Sequence, residues 1–254
     1  MRATGVILAG TRPGGDPLAR AHGIDLKPLI PVAGMPMVRR PVTALLASDL
    51  VGRVVVLTQR PERIKSALPR SKRLSIKQSR DTIAATLEDL CFDPKTEWPL
   101  LVTTADHALL DPDMIEDFLT LGQDADIAIG VVERRNLVYR LPQAERTWVR
   151  FRGGAYTGAN LFLLAGPRVV SALELWRSVE QHRKKSRMLF SALGPLAYLS
   201  ALLRLRTIDQ TAGRTGRKLG LKIKAVELAD PLAAVDVDKQ ADLLLAEAIL
   251  EGRE

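Results

Sequence analysis

The residues best suited to bind an anionic group lie in a glycine-rich loop near the N-terminus. An apolar run at residues 6–9 is typical of a buried strand, and a loop with three glycines and one proline follows it. Where a strand feeds such a loop, glycine lets backbone N–H groups approach an anion closely. Arg12 and Lys27 add fixed positive charge of the kind that a triphosphate requires. A strand–turn–helix junction with solvated basic side chains is the alternative interpretation of this loop.

Three aspartates form a second candidate group. Asp106 ends the apolar run of residues 98–105, where its carboxylate can project into a cleft at the edge of a sheet. Asp236 and Asp238 are two residues apart, so their side chains face one way on an extended segment. Asp106 could instead be a turn residue, and Asp238 could cap the last helix. We favour the helix cap for Asp238 and a place in the site for Asp236.

The elements that must position these residues alternate over the first half of the chain. Strand patterns at residues 53–58, 74–77 and 98–104 alternate with helical patterns at 36–48, 61–68 and 81–90. A further helix begins after Asp111, an N-cap residue followed by proline. The alternation predicts a three-layer α/β fold, with a mostly parallel sheet and helices on both of its faces.

The pattern changes after residue 125. It predicts strands at residues 127–132, 146–152, 156–164 and 222–228, with three or four helical segments over 167–219. A strand with a bulge is one interpretation of the stretch through Gly158 and Asn160. A plain helix cap is one interpretation of Ser79 and Thr82, which lie at the third strand–helix junction.

Composition narrows the class of protein. With 46% apolar and 26% charged residues among 254, the chain can bury a full core. The single cysteine, Cys91, excludes an internal disulfide, and three widely spaced histidines argue against a histidine metal site. The net charge is +8, but aromatic residues at 4% are too sparse for a stacking platform, so we expect no nucleic-acid partner. Neither a signal peptide nor an apolar run of ~20 residues is present, which predicts a cytoplasmic location.

Motifs of several other enzyme classes are absent. The chain has no Gly-x-x-x-x-Gly-Lys-[Ser/Thr] loop, no Gly-x-Gly-x-x-Gly fingerprint and no Gly-x-Ser-x-Gly elbow. The segment at residues 27–38 instead reads Lys-Pro-Leu-Ile-Pro-Val-Ala-Gly-Met-Pro-Met-Val. Together with the strand and glycine loop before it, this segment resembles the MobA-like NTP transferases and the sugar-phosphate nucleotidylyltransferases, which have a GT-A-type fold.

The resemblance implies a role for each candidate residue. Lys27 and Arg12 would be catalytic, and Mg²⁺ would be the cofactor. Metal ligands would come from Asp106, Asp236 and Asp238, and acceptor contacts from Gly158 and Asn160. The nucleotide would be bound by Leu8, Ala9, Gly10, Thr11, Gly14, Ser79 and Thr82. The resemblance also implies one domain, with an NTP-binding half at 1–125, a helical acceptor-side subregion at 126–230 and a closing segment at 231–254.

The expected reaction is transfer of a nucleoside monophosphate from an NTP to a phosphorylated sugar, polyol or other alcohol, with release of pyrophosphate. A guanylyltransferase of the molybdenum-cofactor type is one alternative. A GT-A glycosyltransferase is another and would need an Asp-x-Asp motif in the middle of the chain, where only Asp111–Asp113 and Asp124–Asp126 have the spacing. A catalytically silent nucleotide-binding protein is the third. Basic residues such as Arg177, Arg183 and Arg187 could also touch an anionic membrane surface, although we favour a solvated helix face.

Overall fold

The computed structural model describes residues 2–11, 14–181 and 206–253. The strands are β1 (Ala3–Leu8), β2 (Pro31–Val32), β3 (Met35–Pro36), β4 (Val51–Thr58), β5 (Leu74–Gln78), β6 (Leu100–Thr104), β7 (Ile127–Glu133), β8 (Val149–Phe151), β9 (Gly154–Leu164) and β10 (Ile223–Glu227). The helices are α1 (Pro17–Ala21), α2 (Arg39–Ala47), α3 (Pro61–Lys65), α4 (Ile83–Phe92), α5 (Pro112–Gly122), α6 (Arg134–Arg140), α7 (Val170–Gln181), α8 (Ile208–Leu219) and α9 (Gln240–Leu250). Every helix within these ranges is too short or too polar to span a lipid bilayer.

One sheet of eight strands organises the chain, in the order β10-β7-β9-β6-β1-β4-β5, with β8 added beside β9. The pairs β10–β7, β6–β1, β1–β4 and β4–β5 are parallel, whereas β9 runs antiparallel to β6, β7 and β8. The predicted mostly parallel α/β sheet is confirmed. The long antiparallel strand β9 pairs with β6, so Asn160 on β9 lies near the end of the strand that leads to Asp106.

Alternate residues of the strands belong to two separate apolar cores, one on each face of the sheet. In β4, Val54 and Val56 pack with α2 and α5, whereas Val55 and Leu57 pack with α4 and α7 on the opposite face. Helices therefore cover both faces of the sheet, as predicted. This burial on two faces explains why β4 reads as a continuous β-branched run.

The predicted start of α5 is confirmed, and the predicted start of α4 is corrected. Asp111 caps α5 by accepting a hydrogen bond from the N–H of Met114 at 2.8 Å, as predicted. The helix expected to start at Asp81 begins instead at Ile83, because the Thr82 side chain accepts from the N–H of Ala85 and serves as N-cap.

The second half differs from the prediction in two places. The strand expected over residues 146–152 covers only Val149–Phe151, and Arg146 lies outside it. The helical segments expected over 167–219 include α7 and α8, while residues 182–205 lie outside the described residues. The register of β7 and β9 shifts between Ile129 and Val131, and Asn160 opposite this shift has a positive φ of 49°. The bulge interpretation of this stretch is confirmed.

Candidate active site

The candidate site is a cleft at the carboxyl edge of the parallel strands, where β1 lies between β4 and β6. The N–H of Ala9 donates to the carbonyl of Leu57 at 2.8 Å, and the N–H of Ala105 donates to the carbonyl of Leu8 at 3.0 Å. The glycine loop and the segment that carries Asp106 therefore leave the sheet side by side.

Lys27 is the centre of this cleft. A short 3₁₀ helix, Lys27–Leu29, presents it, and its side chain is only 12% exposed. Its Nζ lies 2.6 Å from Oδ2 of Asp106 and 2.6 Å from Oδ1 of Asp238. Burial lowers the pKa of Lys27, but these two carboxylates outweigh that effect, so the pKa ends above its ordinary value. Lys27 is therefore a fixed, fully charged ammonium group.

Asp236 lies beside this ion-pair cluster. The N–H of Val237 donates to the carbonyl of Asp106 at 3.0 Å, which holds the two aspartate segments together. Nδ2 of Asn160 donates to Oδ2 of Asp236 at 3.1 Å. Burial, reinforced by the charge of Asp106, raises the pKa of Asp236 above its ordinary value. The cleft thus brings together five of the residues named from the sequence, which are Lys27, Asp106, Asn160, Asp236 and Asp238.

The helix cap expected at Asp238 is wrong. Its carboxylate turns toward Lys27, and the last helix is preceded by Lys239. Asp242, inside the first turn of α9, reaches back and accepts from the N–H groups of Asp238 (3.2 Å) and Lys239 (3.0 Å). Because Asp242 satisfies these N–H groups, the side chain of Asp238 is available to the cleft.

Arg146 is a site residue that sequence reasoning missed. Its side chain is 8% exposed, and its Nε donates to the carbonyl of Ala234 at 2.8 Å. Its two terminal nitrogens donate to Oδ1 of Asp242 at 2.9 Å and to the carbonyl of Asp236 at 3.2 Å. The guanidinium group therefore fixes both ends of the segment that carries Asp236 and Asp238.

The nucleotide-side residues surround the start of the glycine loop. Leu8 and Ala9 lead into Gly10 and Thr11, and the N–H of Thr11 donates to Oε1 of Gln59 at 2.8 Å. Gln59 was also missed, although it is the first residue after β4 and its position next to a strand end was available as a signal. Gly14 has a φ of 87°, which suits glycine, whereas Arg12 lies outside the described residues.

Ser79 and Thr82 lie across Gln59 from this loop, at the end of β5. The N–H of Ser79 donates to the carbonyl of Thr58 at 2.9 Å, and its hydroxyl is buried with no hydrogen-bond partner among the described residues. Thr82 is the N-cap of α4. Neither side chain contacts the cluster around Lys27 within the described part of the chain.

Gly158 lies on β9, two residues before Asn160. A Cβ added to Gly158 would meet no atom within 4 Å, so this backbone borders open space. Gly158 is therefore accessible to a ligand, and a larger residue there would extend into that space.

Asp106 and Asp236 are carboxylates of the cleft that could hold a divalent metal ion. No group of three or more His, Cys, Asp or Glu residues suited to a metal ion occurs among the described residues. Oδ1 of Asp106 is nevertheless buried and has no hydrogen-bond partner in that part of the chain. Together with Asp236 it offers two carboxylates, the number that Mg²⁺ usually takes from a protein. These two carboxylates would therefore fit a magnesium ion.

The two Asp-x-Asp sequences in the middle of the chain make structural contacts. Asp111 caps α5, as described above. Asp124 pairs with Lys222 at 2.7 Å and with Lys224 at 3.2 Å, and Asp126 accepts from the N–H of Lys222 at 2.7 Å. Hydrogen bonds from Lys222 and Lys224 lower the pKa of Asp124 to about 2. Neither motif belongs to the cleft around Lys27.

The chain is similar in sequence or fold to several proteins of known structure. The chain resembles a hypothetical transferase from Thermus thermophilus with 29% identity and a TM-score of 0.82, covering 96% of this chain and 100% of that one. It shares its fold with 4-diphosphocytidyl-2C-methyl-D-erythritol synthase from Anaerococcus prevotii, at 10% identity and a TM-score of 0.62 over 98% and 99% of the two chains. It also shares the fold of a CMP:2-keto-3-deoxy-manno-octonic acid synthetase solved with CTP, at 16% identity and a TM-score of 0.64 over the full length of both chains. No curated protein sequence matches it significantly.

The family model for the MobA-like NTP transferase domain matches residues 5–205. This match covers the glycine loop, the Lys27 segment, Asp106 and the strand with Asn160. The chain therefore belongs to the MobA-like NTP transferase family and is a nucleotidyltransferase.

Proposed function

We propose that this protein uses Mg²⁺ to transfer a nucleoside monophosphate from an NTP to a phosphorylated small molecule, a sugar, polyol or other alcohol phosphate. An oxygen of the acceptor phosphate attacks the α-phosphorus of the NTP, the bond between the α-phosphorus and its bridging oxygen breaks, and pyrophosphate leaves with that oxygen and its electron pair. Such transfers need alignment and charge compensation more than covalent help from the protein.

The position of Lys27 is the observation that carries the proposal. Its ammonium group lies 2.6 Å from both Asp106 and Asp238, at the edge of the sheet where the glycine loop begins. A cation held by two carboxylates is already oriented, so it compensates negative charge on the transferred phosphate without rearranging during the reaction. Lys27 also offsets the repulsion between the acceptor phosphate and the NTP.

Mg²⁺ would be held by Asp106 and Asp236, with Asp238 as a further carboxylate at the rim. When bound, it would supply Lewis-acid polarisation of phosphate oxygens. Asn160 fixes the rotamer of Asp236 through its 3.1 Å hydrogen bond, and Arg146 fixes the backbone of the same segment. These two residues orient the carboxylate whether or not a metal ion is present.

The remaining residues divide between the two substrates. The N–H groups of Gly10 and Gly14, together with Arg12, would hold the β- and γ-phosphates. Ser79 and Thr82 would contact the base, and the buried, unpartnered hydroxyl of Ser79 supports that role. Gly158 and Asn160 would contact the acceptor, because the space in front of Gly158 is open.

Thermal unfolding with ATP, GTP, CTP or UTP, with and without Mg²⁺, tests the nucleotide half of the proposal. A ligand at 100 times its Kd stabilises the native state by about 2.7 kcal/mol, which shifts the melting temperature measurably. We expect a shift with at least one NTP that requires Mg²⁺ and is reduced in Asp106→Asn. Asp124→Asn, at an aspartate outside the cleft, is the matched control.

Pyrophosphate release in the presence of the best NTP and a panel of alcohol and sugar phosphates tests the transfer itself. We expect release that depends on one acceptor class. Stabilisation by an NTP without release for any acceptor would support the silent nucleotide-binding alternative. No stabilisation by any of the four NTPs would contradict the proposal as a whole.

A further inference from the structure

A second charged region lies on the acceptor side and shares no lining residue with the cluster around Lys27. It is a cavity of about 590 Å³, here named the arginine pocket, whose lining includes Arg152, Arg206, Asp209, Gly213, Arg214 and Arg217. Nothing in the proposed transfer reaction uses these residues.

The fold builds this pocket from one helix face and one turn. Thr207 caps α8 through a capping box with Gln210, which fixes where the helix begins. Gly213, Arg214 and Arg217 follow at spacings that place them on one side of α8. Arg152 lies in the turn between β8 and β9, and its N–H donates to the carbonyl of Arg206 at 2.8 Å. The turn and the helix entrance are therefore tied together.

The charges of the pocket are not balanced. Four guanidinium groups face it with one carboxylate, Asp209. Among the described residues, Arg152, Arg214 and Arg217 have no acidic partner within 4.0 Å. Like charges around one concavity repel each other, and a bound anion would remove that repulsion. The planar guanidinium fork also matches phosphate oxygens in pairs, which an ammonium group does not.

Gly213 keeps the pocket open at a position where packing does not require glycine. A Cβ at Gly213 would have only Arg217 nearby, at 3.9 Å. A Cβ at Gly216, in the same helix, would lie 2.4 Å from the carbonyl oxygen of Leu221, so glycine is needed there for close packing. Glycine inside a helix costs about 1 kcal/mol relative to alanine. At Gly213 the structure shows no packing benefit that offsets this cost, but it does show space for a ligand.

We propose that the arginine pocket binds the phosphate group of a soluble small molecule, at a site separate from the catalytic cleft. The strand β9 connects the two regions, and between Gly154 and Asn160 it advances by about 20 Å. One phosphate group therefore cannot contact both regions. A concave pocket formed by a helix and a turn also suits a discrete soluble ligand better than a flat membrane surface.

Titration calorimetry of the full chain with pyrophosphate in EDTA tests this site without NTP or metal, so its outcome does not depend on transfer taking place. We expect Arg214→Gln/Arg217→Gln to weaken binding at least tenfold. Arg39→Gln/Arg70→Gln, which removes the same charge from exposed positions elsewhere, should bind as the wild type does. Equal weakening in both double variants would show a general charge effect and overturn the proposal.

A variant that keeps every charge distinguishes binding inside the pocket from general electrostatic attraction to a basic surface. Gly213→Leu should block the cavity and weaken pyrophosphate binding, whereas Gly213→Ala should leave it nearly unchanged. Loss of all binding in Lys27→Met would mean that pyrophosphate occupies only the catalytic cleft, which contradicts a second site. Binding to phosphatidylglycerol vesicles without any binding of pyrophosphate would contradict a soluble ligand and indicate a membrane surface as the partner of the pocket. Absence of wild-type binding at millimolar pyrophosphate would also refute the site.

Discussion

The two charged regions of the molecule arrange their cations in opposite ways. In the cleft, Lys27 and Arg146 are nearly buried, and each lies within 3 Å of an aspartate oxygen. In the arginine pocket, three of the four guanidinium groups have no acidic partner among the described residues. Paired charges fix one geometry, as alignment of two substrates requires. Unpaired charges around a cavity instead hold a place for a ligand that brings the opposite charge.

The largest effect should come from removing the central paired cation. Lys27→Met leaves Asp106 and Asp238 without their shared partner and removes charge compensation at the transferred phosphate. We expect pyrophosphate release to fall by about 10²–10³-fold, the loss typical of a preorganised electrostatic group. Lys65→Met, at an exposed lysine on α3, is the control. Retention of more than half of the activity in Lys27→Met would remove Lys27 from the mechanism.

Substitutions of Arg146 test whether this residue positions the carboxylates that we propose to hold Mg²⁺. Arg146→Lys keeps the charge but loses the fork that joins Ala234, Asp236 and Asp242, so we expect the half-saturating Mg²⁺ concentration to rise by about 10-fold to 100-fold. Arg146→Met leaves the buried Asp242 without its cationic partner and should lower the free energy of unfolding by about 3 kcal/mol.

Magnesium titrations and urea unfolding measure these two effects, with Arg134→Lys and Arg134→Met as exposed controls. An unchanged magnesium requirement in Arg146→Lys, despite normal folding, would reduce Arg146 to a purely structural residue.

Acid should lower the stability of the folded protein through His107, which lies next to Asp106 in the chain. His107 is fully buried, and burial lowers its pKa to about 4, against the attraction of the Asp106 charge. Because the pKa in the folded protein is below the unfolded value of 6.5, the stabilisation is present above pH 6.5 and is lost as pH falls toward 4. Between pH 7.5 and pH 5 we expect the free energy of unfolding to fall by about 2 kcal/mol.

Urea unfolding in EDTA at several pH values measures how the free energy of unfolding changes with pH. His107→Phe should make that change smaller. A slope that survives in His107→Phe would assign the acid sensitivity to other groups. Guanidinium groups stay charged over this range, so the charge of the arginine pocket should not change.

The smallest effect concerns the two glycines of α8. Gly213→Ala should raise the free energy of unfolding by about 0.5–1 kcal/mol, since the new Cβ has room and alanine favours the helix. Gly216→Ala should lower it, because the Cβ would clash with the backbone of Leu221. Thermal unfolding of the two variants side by side is the measurement. If both substitutions destabilised the protein equally, Gly213 would have a packing role and the open-pocket argument would lose its support.

The fold was predictable because burial on two faces leaves a clear signal in the chain. The β-branched run of β4 and its neighbours could be read directly, and so could the polar residues at strand ends, such as Asp106. Lys27 could be placed because its segment has a recognisable order of prolines and glycines. These signals are local, and each depends on residues close together in sequence.

The parts of the site that could not be predicted depend on distant contacts. Arg146 binds Ala234 and Asp242, which are 88 and 96 residues away, and its alternating surroundings resembled a strand. Because every residue has a backbone carbonyl, the sequence does not show which residues a guanidinium group binds in this way. The cap at Asp238 was wrong for a related reason. Several aspartates lie near the start of α9, and only the geometry shows that Asp242 supplies the cap.

If the cleft binds Mg²⁺ as proposed, the position of Lys27 would also make it selective about which cations can enter. A divalent ion that approaches Asp106 must compete with an ammonium group already 2.6 Å from that carboxylate. A free ion offers nothing to the displaced lysine, whereas an ion that arrives on a triphosphate brings anionic oxygens to which the lysine can move. The resting enzyme would therefore discriminate against stray divalent metals and admit them chiefly as nucleotide complexes. The metal ion and the nucleotide would then bind together as one complex rather than in two separate steps.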